Sequence, residues 1–319
     1  MTQHAVPVEV NGLSKRFGGV QAVHRLSFTA QPGRVTGFLG PNGSGKTTTL
    51  SMVLGLTRPD SGTATIGGVP YARLDRPALT VGSSLSADFH PAHTGRAHLD
   101  IVRRAIGVPA GAVDEKLALV GLADAADRKT GGYSLGMRQR LALAAALLGD
   151  PGVLLLDEPI NGLDPEGIRW IRLFLRHLAS EGRTVLLSSH LLSEVQQTVD
   201  DVVVIRRGEL AFAGTLDELQ RGSGERTVLV SVARDADGEH ATLAQALQAA
   251  GAGVHGVRGA VMRVTGMDPA SVGLTALAAG IPLSHLSVEQ AELEQSFLAL
   301  VEDAATEPPV VAATEGGAA

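Results

Sequence analysis

The stretch GPNGSGKTT, Gly40 to Thr48, gathers residue types that could hold a phosphate. Gly40, Gly45, Lys46 and Thr47 fall on the spacing G-x-x-x-x-G-K-[ST]. Small residues at Asn42, Gly43, Ser44 and Gly45 let successive backbone N–H groups turn inward around phosphate oxygens. A helix opening at Lys46, Thr47 and Thr48 would add its positive N-terminal end, with Lys46 reaching the outer phosphates and Thr47 holding Mg²⁺. Lysine occurs only at Lys15, Lys46, Lys116 and Lys129, so its presence in this slot is informative. A second stretch, VLLLDEPINGLDP, sets Asp157 and Glu158 at the end of an apolar run. Adjacent residues on a strand point to opposite sides, so these carboxylates are expected to do different jobs. Asp157 can accept hydrogen bonds from Mg²⁺-bound water, and Glu158 can polarise an attacking water from the γ-phosphate side. The chemistry implied is metal-assisted transfer of a phosphoryl group from a nucleotide to water. The glycine loop alone leaves kinases, GTPases and motor ATPases open, although no Asn/Thr-Lys-x-Asp guanine-reading motif is visible.

Three apolar runs position these residues: 34–40, 151–159 and 183–190. Apolar on both faces and bounded by turn or polar residues, they read as buried parallel strands. Helix patterns at 45–55, 94–106, 111–121, 136–149 and 165–181 make an α/β cassette over residues 1–220, with a substantial helical insertion expected between the second and third of those runs. The Gly/Ser/charged stretch LQRGSGER at 219–226 reads as a linker, placed at 221–226. Residues 227–302 then change rhythm to β-α-β-β-α-β plus a closing helix, the order of a small ferredoxin-like α+β domain. Residues 303–319, rich in Pro, Gly and Ala without periodicity, read as a disordered tail.

The whole chain has 319 residues, 44% of them hydrophobic, enough for one large or two ordinary cores. Its 27 basic and 33 acidic residues give a formal charge of −6, which argues against nucleic acid as a partner. The absence of cysteine excludes disulfides and thiolate chemistry and is compatible with a reducing cytoplasm. The N-terminus lacks a signal-peptide pattern, and no apolar run is long enough to span a bilayer.

GPNGSGKTT, YSLGMRQR, LLLDEP, NGLD and LLSSH follow one another in the order and spacing of ATP-binding-cassette (ABC) transporter ATPase subunits, and residues 7–220 resemble that family throughout. The resemblance implies a phosphate-loop ATPase fold with a parallel core sheet, an antiparallel N-terminal subdomain and a helical signature subdomain. It implies that Phe17 stacks on adenine, that Ser134 and Gly136 form the signature loop, and that Leu163 and Asp164 form the loop after the carboxylate strand. It also implies that His190 contacts the γ-phosphate, and that ATP and Mg²⁺ are bound. In the family two cassettes meet head to tail, each ATP lying between one phosphate loop and the other subunit's signature loop. One cassette per chain therefore implies a homodimer, or a heterodimer with a paralogue. It also implies a polytopic permease on a separate chain, and a peripheral place on the inner face of the cell membrane. The C-terminal module resembles the accessory domain of exporter ATPases of the antibiotic-resistance type, which favours export.

Two places depart from the family pattern. The signature is usually Leu-Ser-Gly-Gly-Gln, but here it reads Tyr133-Ser134-Leu135-Gly136-Met137, which keeps a hydroxyl and one glycine and loses the glutamine. Ser86 stands where the family has a glutamine that touches Mg²⁺ and the attacking water, with Asp88 two residues on. His90, His93 and His98 have no accompanying ligand set for a metal, and Arg138 and Arg140 carry no assigned chemistry. The competing class, a soluble ABC ATPase acting on ribosomes or DNA, resembles tandem or coiled-coil-split cassettes, and this chain has neither pattern.

Overall fold

The computed structural model describes residues 5–222, 227–233, 238–258 and 261–289, together with Phe297 and Leu300. Two compact units divide it, one built on Met1–Leu216 and one on Asp217–Ala299, so the division falls slightly ahead of the sequence boundary at 220.

In the first unit, β1 (Val8–Phe17) and β2 (Val20–Ala30) form an antiparallel pair. The chain then enters the buried strand β3 (Val35–Leu39), turns through the glycine loop and starts α1 (Lys46–Val53). Strand β4 (Ser61–Ile66) returns to complete a three-stranded antiparallel sheet of order β2-β1-β4. The short helix α2 (Pro77–Thr80) leads to β5 (Val81–Ser84). A helical layer follows, made of α3 (Gly95–Ile106), α4 (Gly111–Leu119) and α5 (Leu135–Ala146); this insertion precedes the carboxylate strand rather than following it, and only one helix separates that strand from the next. The remaining elements of this unit are β6 (Val153–Leu156), α6 (Pro165–Ser180), β7 (Thr184–Ser189), α7 (Leu192–Val195), β8 (Asp201–Arg206) and β9 (Glu209–Thr215); the next helix, α8 (Leu216–Gly222), starts at the division and falls almost wholly in the second unit.

The main sheet has six strands in the order β5-β6-β7-β3-β8-β9. Strands β3, β6 and β7 are buried along their whole length, as their unbroken apolar runs require. The first five strands are parallel, but β9 is antiparallel to β8, so the sheet is mixed rather than purely parallel. The cause is local. Arg207 and Gly208 both take positive φ, 50° and 83°, which makes a tight two-residue hairpin turn. That turn also supports the glycine loop, because the Gly208 N–H donates to the Ser44 carbonyl at 2.9 Å.

The helical layer has its own apolar cluster, in which Leu99, Leu117, Leu141 and Tyr133 are buried. Trp170, on α6 of the main lobe, packs against that cluster, and so does Met137. The helix patterns at 94–106, 111–121, 136–149 and 165–181 match α3 to α6 to within a few residues, and three of these helices carry a side-chain cap from Thr94, Ser134 or Asp164.

The second unit runs β10 (Thr227–Val232), α9 (Glu239–Ala249), β11 (Gly253–Arg258), β12 (Val261–Thr265), α10 (Pro269–Ala278) and β13 (Leu283–Glu289). Its strands pair antiparallel in the order β11-β12-β10-β13, and this is the β-α-β-β-α-β succession read from the sequence. Val228, Val230, Met262 and Val264 alternate onto one face under Leu243, Leu247 and Val272. Of the stretch 221–226 expected as a linker, the first two residues are the end of α8, which stays helical through Gly222. Residues 223–226, most of the closing helix and the tail at 303–319 lie outside the described residues.

Candidate functional site: a phosphate loop and a carboxylate pair

The glycine loop is held closely from behind. Gly45, the residue before α1, has φ 105°, and a Cβ there would lie 2.4 Å from the Ala22 carbonyl oxygen. Only glycine fits both the backbone angle and the space. No side chain caps α1, so its N-terminus is left for a ligand in the manner of phosphate-binding helices. Ser44 is 3% exposed and its hydroxyl has no hydrogen-bond partner among the described residues. Such a buried orphan donor fits a loop built around phosphate oxygens.

Lys46 is buried, and its ammonium folds back over the loop. It donates to the carbonyl oxygens of Gly40 at 2.7 Å and Pro41 at 3.3 Å, and lies 3.4 Å from Glu158 Oε1. The Thr47 hydroxyl donates to Asp157 Oδ2 at 2.7 Å. The Ser188 hydroxyl donates to Asp157 Oδ1 and accepts the Glu158 N–H at 2.9 Å. His190, one residue past β7, places Nδ1 2.9 Å from Glu158 Oε2. Lys46, Thr47, Asp157, Glu158 and His190 thus come together at the carboxyl ends of three parallel strands, where α/β sheets place their ligands.

The two carboxylates do diverge, although the cause differs from the one expected. Strand β6 ends at Leu156, before either of them. Glu158 has φ 46°, and this left-handed step turns it away from Asp157. Such a conformation is uncommon outside glycine and is held here by the Ser188 bond to its N–H. Ser188 was missed in the sequence. The only hint was its place two residues before His190, which gives both the same side of β7.

The other expected residues lie elsewhere. Ser134 caps α5, its Oγ accepting the Met137 N–H at 3.2 Å. Asp164 caps α6, its Oδ1 accepting the Gly167 N–H at 2.8 Å. Ser134, Gly136 and Asp164 share the walls of a cleft of about 480 Å³, to which no residue of the glycine loop contributes. Met137, where the family has glutamine, is used in packing against the helical cluster. Phe17 ends β1 at a hairpin tip and is 51% exposed, with Lys15 Nζ 5.4 Å from its ring centroid, so it is an aromatic presented to solvent rather than a core residue. Ser86 and Asp88 are exposed in the loop after β5. That loop leaves the sheet beside the carboxylates, because the Asp157 N–H donates to the Ser84 carbonyl at 2.8 Å. The His90 and His93 rings lie 4.6 Å apart, while His98 packs edge-on to Phe89. Among the described residues no group of three or more His, Cys, Asp or Glu side chains is placed to hold a metal ion.

A mixed sheet with a glycine loop, a divergent carboxylate pair and a histidine at its strand ends defines a nucleotide-binding phosphate-loop ATPase. The ABC transporter family profile matches residues 23–161, and a family described as a domain of unknown function matches residues 227–294. The chain is 40% identical over 218 residues to the bacitracin transport ATP-binding protein BcrA of Bacillus licheniformis, covering 67% of this chain and 71% of that protein. It is 43% identical over 216 residues to the Nod factor export ATP-binding protein I of Burkholderia lata, covering 65% and 70%. A solved ATP-binding subunit of an ABC transporter superposes with a TM-score of 0.61 at 26% identity, covering 67% of this chain and 92% of that one. The chain belongs to the ABC transporter family, as an ATPase whose hydrolysis is coupled to transport.

Proposed function

We propose that this chain is the ATP-hydrolysing subunit of an exporter, working as a dimer against a separate membrane permease. Among the described residues no helix is long and apolar enough to cross a membrane. The family match therefore points to a partner chain for the membrane path, and that partner would hold this subunit at the inner face of the cell membrane. Export, and an antibiotic or a secreted signal as the class of cargo, rest on the names of the relatives.

The observation that carries the reading is the separation of the two clefts. Lys46, Thr47, Asp157, Glu158 and His190 form one cluster, while Ser134, Gly136 and Asp164 line another that contains no glycine-loop residue. A single chain therefore presents both halves of a nucleotide site without closing either. Two copies placed head to tail would close two.

Within one half, Phe17 would stack on adenine and the loop from Asn42 to Thr48 would hold the phosphates. Lys46 is expected to exchange its loop carbonyls for phosphate oxygens. Glu158 is the base that orients and deprotonates the attacking water, and His190 holds Glu158 in place while facing the γ-phosphate. The Thr47 hydroxyl and the Asp157 carboxylate are hard oxygen donors that converge, and they fit Mg²⁺ either directly or through water. When bound, that ion would neutralise charge on the phosphates.

Glu158→Gln tests the assignment. The variant should bind ATP, lose kcat by about 10²- to 10⁴-fold as expected for a lost general base, and accumulate as a dimer in size-exclusion chromatography. Wild-type turnover in the variant would sink the role of Glu158. Co-purification tests the setting: a polytopic membrane protein supports the exporter reading, and ribosomes or DNA would replace it with a soluble ABC ATPase.

A further inference from the structure

The signature helix meets the segment that follows the carboxylate strand at two points, the loop before α6 and α6 itself, and Leu135, Gly162 and Arg140 line the cleft that Ser134 and Asp164 share. At the near end, Leu135 reaches over Gly162, where an added Cβ would lie 2.8 Å from the leucine Cδ2. At the far end, the Arg140 guanidinium carbon sits 4.3 Å from the centroid of the Trp170 ring. The Trp170 ring is itself stacked on Phe174, with centroids 5.0 Å apart and planes 12° from parallel. A ring fixed in this way presents a rigid face to a planar cation. Arg140 belongs to α5, whereas Trp170 belongs to α6 of the main lobe and also packs into the apolar cluster of the helical layer. The contact therefore bridges the seam between the lobe that carries the carboxylates and the layer that carries the signature loop.

We propose that Arg140 is a positioning residue for ATP hydrolysis: stacked on Trp170, it sets the angle of the signature helix so that Ser134 and Asp164 face the same nucleotide. The geometry gives it leverage. Ser134 and Asp164 are the N-caps of α5 and α6, so the direction of each side chain follows its helix. Leu135 lies close over Gly162 in the loop that leads into α6, and Arg140–Trp170 fixes the angle between the two helices. The inference rests on the reading that Ser134 and Gly136 serve an ATP held by a second copy.

The experiment compares full-length Arg140→Met, Arg140→Lys, Trp170→Leu and the double variant Arg140→Met/Trp170→Leu, with Ser134→Arg alongside. The readouts are kcat, KM, the dissociation constant for ATP, and ATP-driven dimerisation. Arg140→Met should lower kcat about three- to tenfold, the scale of one partly desolvated cation–π contact. The ATP dissociation constant should stay unchanged, since nucleotide is held at the other cleft. Arg140→Lys, which restores a cation over the ring, should recover part of the loss, and the double variant should be no worse than the poorer single one. Should Arg140→Met lose its fold, Trp170→Phe keeps an aromatic face and should show a smaller fall in kcat with the same unchanged affinity. An unaltered kcat, losses that multiply in the double variant, or no rescue by lysine would overturn the positioning role. If those results come with dimerisation abolished by Ser134→Arg, the role of Arg140 fails alone. If Ser134→Arg dimerises normally, the two-copy reading fails and takes this inference with it.

Discussion

The two clefts of the cassette are built by different physics. On the phosphate side, Thr47 bonds Asp157, Lys46 and His190 meet Glu158, and Ser188 ties the two carboxylate residues to β7. Its lysine is buried and its strands end on the sheet's rigid interior. On the signature side, Ser134 and Asp164 bond only to their own helix starts, and the support comes from apolar and cation–π contacts beneath. One region is wired before a ligand arrives. The other is mounted, with its polar groups turned to a space its own chain does not fill. The contrast fits a reaction in which the first region does the chemistry and the second reports that a partner is in place.

Variants can break that contrast, and the largest effect is expected at the mounted side. Ser134→Arg should leave the fold and ATP binding intact yet remove ATP-driven dimerisation, and with it nearly all turnover. Light scattering with and without ATP checks this, and a dimer of normal yield would reduce Ser134 to a helix cap. Next comes the wiring itself. Ser188→Ala removes the donor to Asp157 Oδ1, leaving that carboxylate only its Thr47 bond, and leaves the Glu158 N–H without its acceptor; an unsatisfied group of this kind costs about 1–3 kcal/mol. A fall in kcat of about tenfold is expected, larger than the fall in ATP affinity, because Glu158 loses the support that holds its left-handed backbone. Equal activity would show that the Glu158 conformation is fixed by other contacts. The smallest effect is expected at the edge of the site. Ser86 and Asp88 are exposed, so Ser86→Ala and Asp88→Ala should each change the basal ATPase by less than about twofold, within the range of surface substitutions. A strong loss in either would bring that loop into the wired region.

The wired side was largely legible in the chain because its parts announce themselves locally. A glycine loop needs Gly45 for a backbone angle no other residue takes cheaply, and the buried strands leading to it are unbroken apolar runs. The turn at Glu158 was not legible, since a strand that ends at Leu156 and one that continues through Glu158 have the same residue pattern. Ser188 was hidden for a related reason: a serine in a buried strand declares no partner, and its partners lie 30 and 31 residues away. The mounted side depends on pairings of that kind. Arg140 carried no assigned chemistry in the sequence because the ring it covers is on another helix. Met137, taken as lost polar reach, is apolar because it serves the packing of the helical layer. Non-local contacts between side chains of unremarkable type leave no periodicity to detect.

Trp170 has a practical consequence. The chain contains one tryptophan and only two tyrosines, so excitation at the red edge of the protein band selects a single emitter. That emitter lies on the seam between the lobe carrying the carboxylates and the layer carrying Ser134, with a guanidinium on its face and a phenylalanine behind it. The unmodified protein therefore carries a built-in optical probe of that seam: any change in the packing of Arg140 or Phe174 on the ring should alter the intensity and colour of its own fluorescence.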